Sequence, residues 1–181
     1  MVPFTVRTHI AAPREAVFDF VADLAARVAF TDHYLEEFRL TRPRAAGVGA
    51  AARFRVRGEW VETAIVEANR PRLIREEGRM GRLGRTRTFT EYAFDSPAEG
   101  VARVELTFWT EPGSRVDAIT ELLGMRGYMK RRSKHALERL RRIFEEERAR
   151  PLARASIAGW EPGKAARFGS PVQVPSSPVS D

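Results

Sequence analysis

Apolar and polar positions alternate from the start of the chain. Phe4, Val6, Thr8 and Ile10 fall on one side and Thr5, Arg7 and His9 on the other, the period of two expected of a half-buried strand with His9 turned outward. At Pro13-Arg14-Glu15 the period changes, and Val17, Phe18, Phe20 and Val21 recur at helical spacing. Proline suits a first helical residue, whose amide lacks a partner in any case, and an acid in the first turn complements the helix dipole. The spacing predicts a short helix over about 13–22. Asp23 then stands where it can cap a second short turn through Leu24 and Val28.

After Thr31-Asp32-His33 the chain reads as successive strands: Tyr34–Arg42, Ala50–Arg57, Glu59–Ala68, Leu73–Gly78, Arg85–Phe94 and Val101–Glu111. They are separated by short runs rich in Gly, Pro and Asn, and short connections imply antiparallel neighbours. In the last pair Thr88, Thr90, Tyr92 and Phe94 alternate along one strand, and Val104, Leu106, Phe108 and Thr110 along the next. The opposite face, with Arg87, Glu91, Arg103 and Glu105, reads as solvated. Pro112-Gly113 ends the sheet, and Ser114-Arg115-Val116-Asp117 has the spacing of a capping box. Val116, Ile119, Leu122 and Leu123, then Met129, Ala136, Leu137, Leu140, Ile143 and Phe144, form an apolar helical stripe. Gly124 and Gly127 weaken its middle, so a break near 124–127 divides a lead-in from a main helix over Tyr128 to about Arg148. Arg150-Pro151 stops it. Residues 151–181, rich in Pro, Ala and Ser and without periodic apolar positions, read as a disordered tail behind a 1–150 domain.

The 181-residue chain has no cysteine and only His9, His33 and His135 as histidines. Disulfides, thiolate metal sites and cysteine nucleophiles are therefore excluded, and no metal or other cofactor is expected. No apolar run is long enough to span a bilayer, so integral membrane association is not expected. The first residues lack the pattern of a signal peptide, which makes the cytoplasm the expected location. The net charge of +7 suggests nucleic acid until it is localised. Residues 1–125 carry 18 basic and 18 acidic side chains, whereas 126–150 carry 10 and 4. The excess is a stripe on one helix, and DNA binding is not expected.

The opening His9-Ile10-Ala11-Ala12-Pro13-Arg14-Glu15-Ala16-Val17-Phe18-Asp19-Phe20-Val21-Ala22-Asp23 resembles the start of the START-like superfamily, also called SRPBCC or polyketide cyclase/dehydrase-like. Gly47-Val48-Gly49 before a strand, Asn69-Arg70-Pro71-Arg72-Leu73-Ile74, Gly100 before the last strand and Lys130–Leu140 follow in the order of that family. The resemblance covers about residues 4–148. It implies an α+β helix-grip fold: a curved antiparallel sheet of about seven strands wrapped around a long C-terminal helix, with two short helices after the first strand. It implies further that a small hydrophobic molecule, lipid-, polyketide- or aromatic-like, binds between sheet and helix. The superfamily also includes aromatic cyclases, so a polyketide cyclase or dehydrase type of enzyme using the same cavity is the alternative.

Candidates to line such a cavity are Phe54, Val56, Thr88, Thr90, Tyr92, Leu106 and Phe108 on the strands and Met125 and Met129 on the helix. Methionines adapt to irregular shapes, and hydroxyls can orient a polar group on an apolar ligand. The same residues would equally serve to fill a core. For proton transfer the ionisable groups near a cavity or its mouth are His33, Asp32, Glu36, Arg75, Glu77 and Tyr92, with His33 and Tyr92 the candidates for catalysis. His135, among Arg131, Arg132, Lys134 and Arg139, reads as a solvated helix residue. The glycines of Gly78-Arg79-Met80-Gly81-Arg82-Leu83-Gly84 do not have phosphate-loop spacing and join two strands, which leaves a cavity lid or an ordinary hairpin. The basic helix face, Arg126, Lys130, Arg131, Arg132, Lys134, Arg139, Arg141 and Arg142, could meet RNA or an acidic partner. Potential i,i+4 pairs Glu138–Arg142, Arg141–Glu145 and Arg142–Glu146, and the absence of interleaved aromatics, favour a solvated face.

Overall fold

The computed structural model describes residues 1–81, 83–113 and 124–146. The lead-in over 114–123, its capping box and the tail over 151–181 lie outside the described residues. In chain order the elements are β1 (Phe4–Ile10), α1 (Arg14–Ala22), α2 (Leu24–Thr31), β2 (Glu36–Leu40), β3 (Ala51–Val56), β4 (Glu59–Asn69), β5 (Leu73–Met80), β6 (Thr86–Ala98), β7 (Val101–Glu111) and α3 (Arg126–Glu146). The strands form one seven-stranded sheet in the order β1-β7-β6-β5-β4-β3-β2. Every neighbouring pair is antiparallel, and β1 returns to pair with the last strand, Phe4 opposite Phe108 and Val6 opposite Leu106. This is the helix-grip arrangement, with α3 packed against the concave side of a curved sheet.

Local sequence accounts for the turns that shape it. Arg57 and Gly58, both with positive φ (53° and 82°), close the β3–β4 hairpin between the paired residues Val56 and Glu59. Positive φ at both central positions is what a two-residue turn needs to match strand twist. Asp23 caps α2 by accepting from the Ala25 amide at 2.8 Å, while Leu24 N donates to Ala45 O at 2.9 Å and ties the start of that helix to the β2–β3 loop. The buried face of α3, Met129, Ser133, Ala136, Leu137 and Leu140, keeps the spacing of three and four. Phe144 meets Phe20 edge-on at 5.4 Å, and Phe18 meets Phe94 at 5.2 Å. These contacts clamp α1 between helix and sheet.

Several boundaries differ from the sequence expectation. The second strand was expected from Tyr34, but the amides of Tyr34 and Leu35 both donate to Thr31 O, at 3.1 and 3.0 Å. The final turn of α2 thus consumes two residues of the expected strand. Strand β2 then breaks register between Glu36 and Arg39, with Glu37 at φ 51°. Strand β5 runs to Met80, two residues beyond expectation, which leaves Gly78 inside the strand and not at its end. A Cβ there would lie 2.3 Å from Glu62 O and 2.6 Å from Thr88 Oγ1, so only glycine fits between the neighbouring strands. The α-helix of α3 begins at Arg126, just after Gly124 at φ 101°, where the glycines predicted a break. The outer face of the sheet carries the charged residues expected there, joined in ion pairs that include Arg87–Glu111, Arg75–Glu91 and Arg103–Asp95. It also carries Phe89 stacked on Trp109 at 5.0 Å with Arg87 over the Phe89 ring, an aromatic patch missing from the sequence reading.

Candidate functional site

A cavity of about 70 Å³ lies between the concave sheet, α2 and α3. Phe54, Val56, Thr88, Thr90, Tyr92, Leu106, Phe108, Met125 and Met129 all line it. Alternation puts the strand residues there: along β6 every second side chain from Thr88 to Tyr92 faces inward, and β7 opposes them with Thr110, Phe108 and Leu106 in register. Leu35, Phe38 and Met80 extend the apolar wall.

The other wall is polar, and its centre is a charged pair. Arg27, on α2, is 5% exposed and Glu76, on β5, is 3% exposed. Arg27 Nη1 meets Glu76 Oε1 in a direct ion pair. The rest of the guanidinium is directed at backbone: Nε and Nη2 donate to Val21 O at 3.1 and 2.8 Å. Thr63 Oγ1 donates a long bond of 3.4 Å to Glu76 Oε2, and Thr31 Oγ1 donates to Arg27 O at 2.8 Å. The guanidinium carbon lies 5.1 Å from the centre of the Tyr92 ring. Burial disfavours the charge on Arg27, but the attraction and hydrogen bond of the adjacent Glu76 carboxylate, together with Tyr92 and Tyr34, outweigh it and hold the guanidinium protonated. Burial likewise pushes the Tyr92 phenol up to about 12, against the pull of Arg27, and raises Tyr34, which also lines the cavity. Both phenols are neutral hydroxyls at physiological pH.

Sequence reading named neither Arg27 nor Glu76. It named the flanking Arg75 and Glu77, which lie on the outer face and pair with Glu67 and Glu91 and with Arg87. The signal was present in two places. Glu76 alternates with the buried Ile74 along β5, and Arg27 falls at spacings of three and four from the buried Leu24 and Thr31.

His33 does not line the cavity. Its Nε2 donates to Arg132 O at 3.3 Å, joining the end of α2 to α3, and its ring lies 4.4 Å from that of His135. His135 is exposed as expected, yet it is one half of a close imidazole pair whose planes are inclined at 59°. Asp32 is engaged by Arg139 Nη1 at 2.7 Å, and Glu36 is exposed on β2. On the basic face Arg141 pairs with Glu145 at 3.3 Å. The expected pairs Glu138–Arg142 and Arg142–Glu146 do not form among the described residues, because the Arg142 side chain is not within ion-pair distance of either acid. Among the described residues no three His, Asp or Glu side chains gather to hold a metal ion, and no helix is long and apolar enough to cross a membrane.

Comparison with known proteins agrees with this architecture. Norcoclaurine synthase from Thalictrum flavum, solved with dopamine and hydroxybenzaldehyde, superposes with a TM-score of 0.62 at 10% identity over 82% of this chain and 89% of its own. A START superfamily protein from Mycobacterium smegmatis does so at 0.57 and 12% identity over 80% and 97%. The di-domain ARO/CYC StfQ from the steffimycin biosynthetic pathway matches at 0.56 and 12% identity over 80% of this chain and 45% of its own. At such identities the likeness is one of fold. No curated protein matches the sequence. Residues 1–145, however, match the family described as polyketide cyclase / dehydrase and lipid transport, and with the first strand, both short helices, the whole sheet and nearly all of α3 inside that span, the chain belongs to this family.

Proposed function

We propose that the protein binds a small, mostly apolar molecule in the cavity between the sheet and α3. The observation that carries this reading is a cavity with one apolar and one polar wall between the sheet and α3, where the resemblance to the family implies a ligand. Apolar side chains supply burial, and the hydroxyls with the Arg27–Glu76 pair supply orientation. At about 70 Å³ the space is far below the several hundred Å³ typical of drug-sized ligands. Either the ligand is small or the flexible Met80, Met125 and Met129 move to admit it. Native mass spectrometry of the purified protein, followed by organic extraction, tests the reading. A stoichiometric small-molecule adduct is expected. A clean mass, together with no change in melting temperature across a panel of small aromatic and aliphatic compounds, would overturn it.

The second reading is a cyclase- or dehydrase-type reaction in the same cavity. It is favoured by Tyr92, whose buried, neutral hydroxyl shares the polar wall with a carboxylate and a guanidinium. In this reading Tyr92 would donate a proton to a ligand oxygen, with Arg27 stabilising the charge that develops. A Tyr92→Phe variant that still binds the ligand but no longer converts it is the expected result, and undiminished turnover would exclude Tyr92. His33→Ala should leave turnover intact, because His33 lies outside the cavity.

A further inference from the structure

We infer that the cavity selects a neutral ligand that donates a hydrogen bond, such as a phenol or alcohol, and rejects the carboxylic acid of the same shape. This rests on the ligand-binding reading above and deepens it. An arginine in an apolar cavity ordinarily suggests an anion site, but here the geometry argues the opposite. Arg27 Nη1 is committed to Glu76 Oε1, and Nε and Nη2 to Val21 O. The guanidinium already has its counter-ion inside the protein, and the polar wall carries no net charge.

A ligand carboxylate would have to shed its water and then lie beside the Glu76 carboxylate. Like charges at close range in a buried site repel strongly. What Glu76 Oε2 lacks is a close donor. A carboxylate offers about two lone-pair sites on each oxygen, yet among the described residues Glu76 Oε2 is met only by the 3.4 Å bond from Thr63. A hydroxyl hydrogen arriving from the cavity supplies a charge-assisted bond where there is now a weak one. Tyr92, neutral on the same wall, does not alter this balance of charge, while Phe54 and Phe108 offer ring faces to the rest of the ligand.

The test compares benzene, phenol and benzoate as probes, titrated into the intact protein and followed by calorimetry or by the NMR shifts of the cavity methionine methyls. Phenol should bind about ten- to hundredfold more tightly than benzene, the range expected of a hydrogen bond to a charged group. Benzoate should bind more weakly than benzene. In Glu76→Gln the preference should invert, with benzoate gaining and phenol losing, because Arg27 then lacks its counter-ion. Should that variant not fold, Arg27→Met/Glu76→Met removes both charges, and phenol and benzene should then bind alike. Equal binding of phenol and benzene to the natural protein, or benzoate binding as tightly as phenol, would overturn the inference while leaving a hydrophobic cavity in place. A phenol preference that survives the double variant would also overturn it. Binding of none of the probes would overturn both this inference and the ligand-binding reading.

Discussion

His33 and His135 face each other with ring centres 4.4 Å apart, one at the end of α2 and the other on α3. His33 Nε2 donates to Arg132 O, and its Nδ1 is buried without a partner. Burial, aided by the neighbouring His135, Arg139 and Arg132, holds His33 below the ordinary imidazole value. A histidine lowered in the folded state binds its proton more readily when unfolded. Its share of stability is therefore intact above the unfolded value, near 6.5, and is lost as pH falls below it. The melting temperature should fall between pH 7.5 and 5, and His33→Gln should flatten that slope. An identical slope in the variant would remove His33 as its cause.

The Arg27–Glu76 pair predicts an asymmetry between single and double variants. Arg27→Met leaves a carboxylate buried without its counter-ion and should cost about 3–5 kcal/mol in urea unfolding. Arg27→Met/Glu76→Met, which removes both charges, should cost much less or nothing. Additive losses would mean that the two side chains do not act as a pair.

Gly78→Ala should destabilise by about 1–3 kcal/mol or more, because the new methyl meets the Glu62 carbonyl and Thr88 Oγ1 at distances no Cβ tolerates. The obstacle includes backbone, so rotamer changes alone cannot relieve it. A melting temperature equal to that of the natural protein would contradict the close approach of β4 and β6 at this point.

Leu137 and Met129 share the buried face of α3 but border different spaces. Leu137, 1% exposed and not part of the cavity wall, packs in the core, and Leu137→Ala should cost about 2–5 kcal/mol. Met129 borders the cavity, so Met129→Ala should cost less and should enlarge the space. Ligands about one methylene larger should then bind more tightly relative to their smaller homologues, as competition titrations would show.

The contrast between β6 and β5 explains what could be read without coordinates. In β6 and β7 the alternation of Thr88, Thr90, Tyr92 and Phe94 against Val104, Leu106, Phe108 and Thr110 is a periodic signal, and the observed register pairs those same residues. Every cavity residue predicted on those strands lines the cavity. In β5 the run Arg75-Glu76-Glu77 gives no such contrast, since all three are charged. Alternation with Ile74 turns Glu76 inward, but the partner that makes a carboxylate tolerable there, Arg27 on α2, is remote in sequence. The contact of His33 with His135 was invisible for the same reason: it depends on how α2 docks on α3. Short-range periodicity is written along the chain, whereas pairing between elements is a property of their packing.

The register break in β2 bears on how this molecule meets its own copies. As the last strand in the sheet order, β2 has one edge without a neighbouring strand among the described residues, the kind of surface that invites another chain to add on. Here that ladder is interrupted between Glu36 and Arg39, turned aside by Glu37 at φ 51°, and studded with Glu36, Glu37 and Arg39. Breaks and charges of this sort are how sheets resist templating. A second copy approaching this edge finds no continuous row of amides and carbonyls to join, so growth of the sheet from one molecule into the next is blocked on that side.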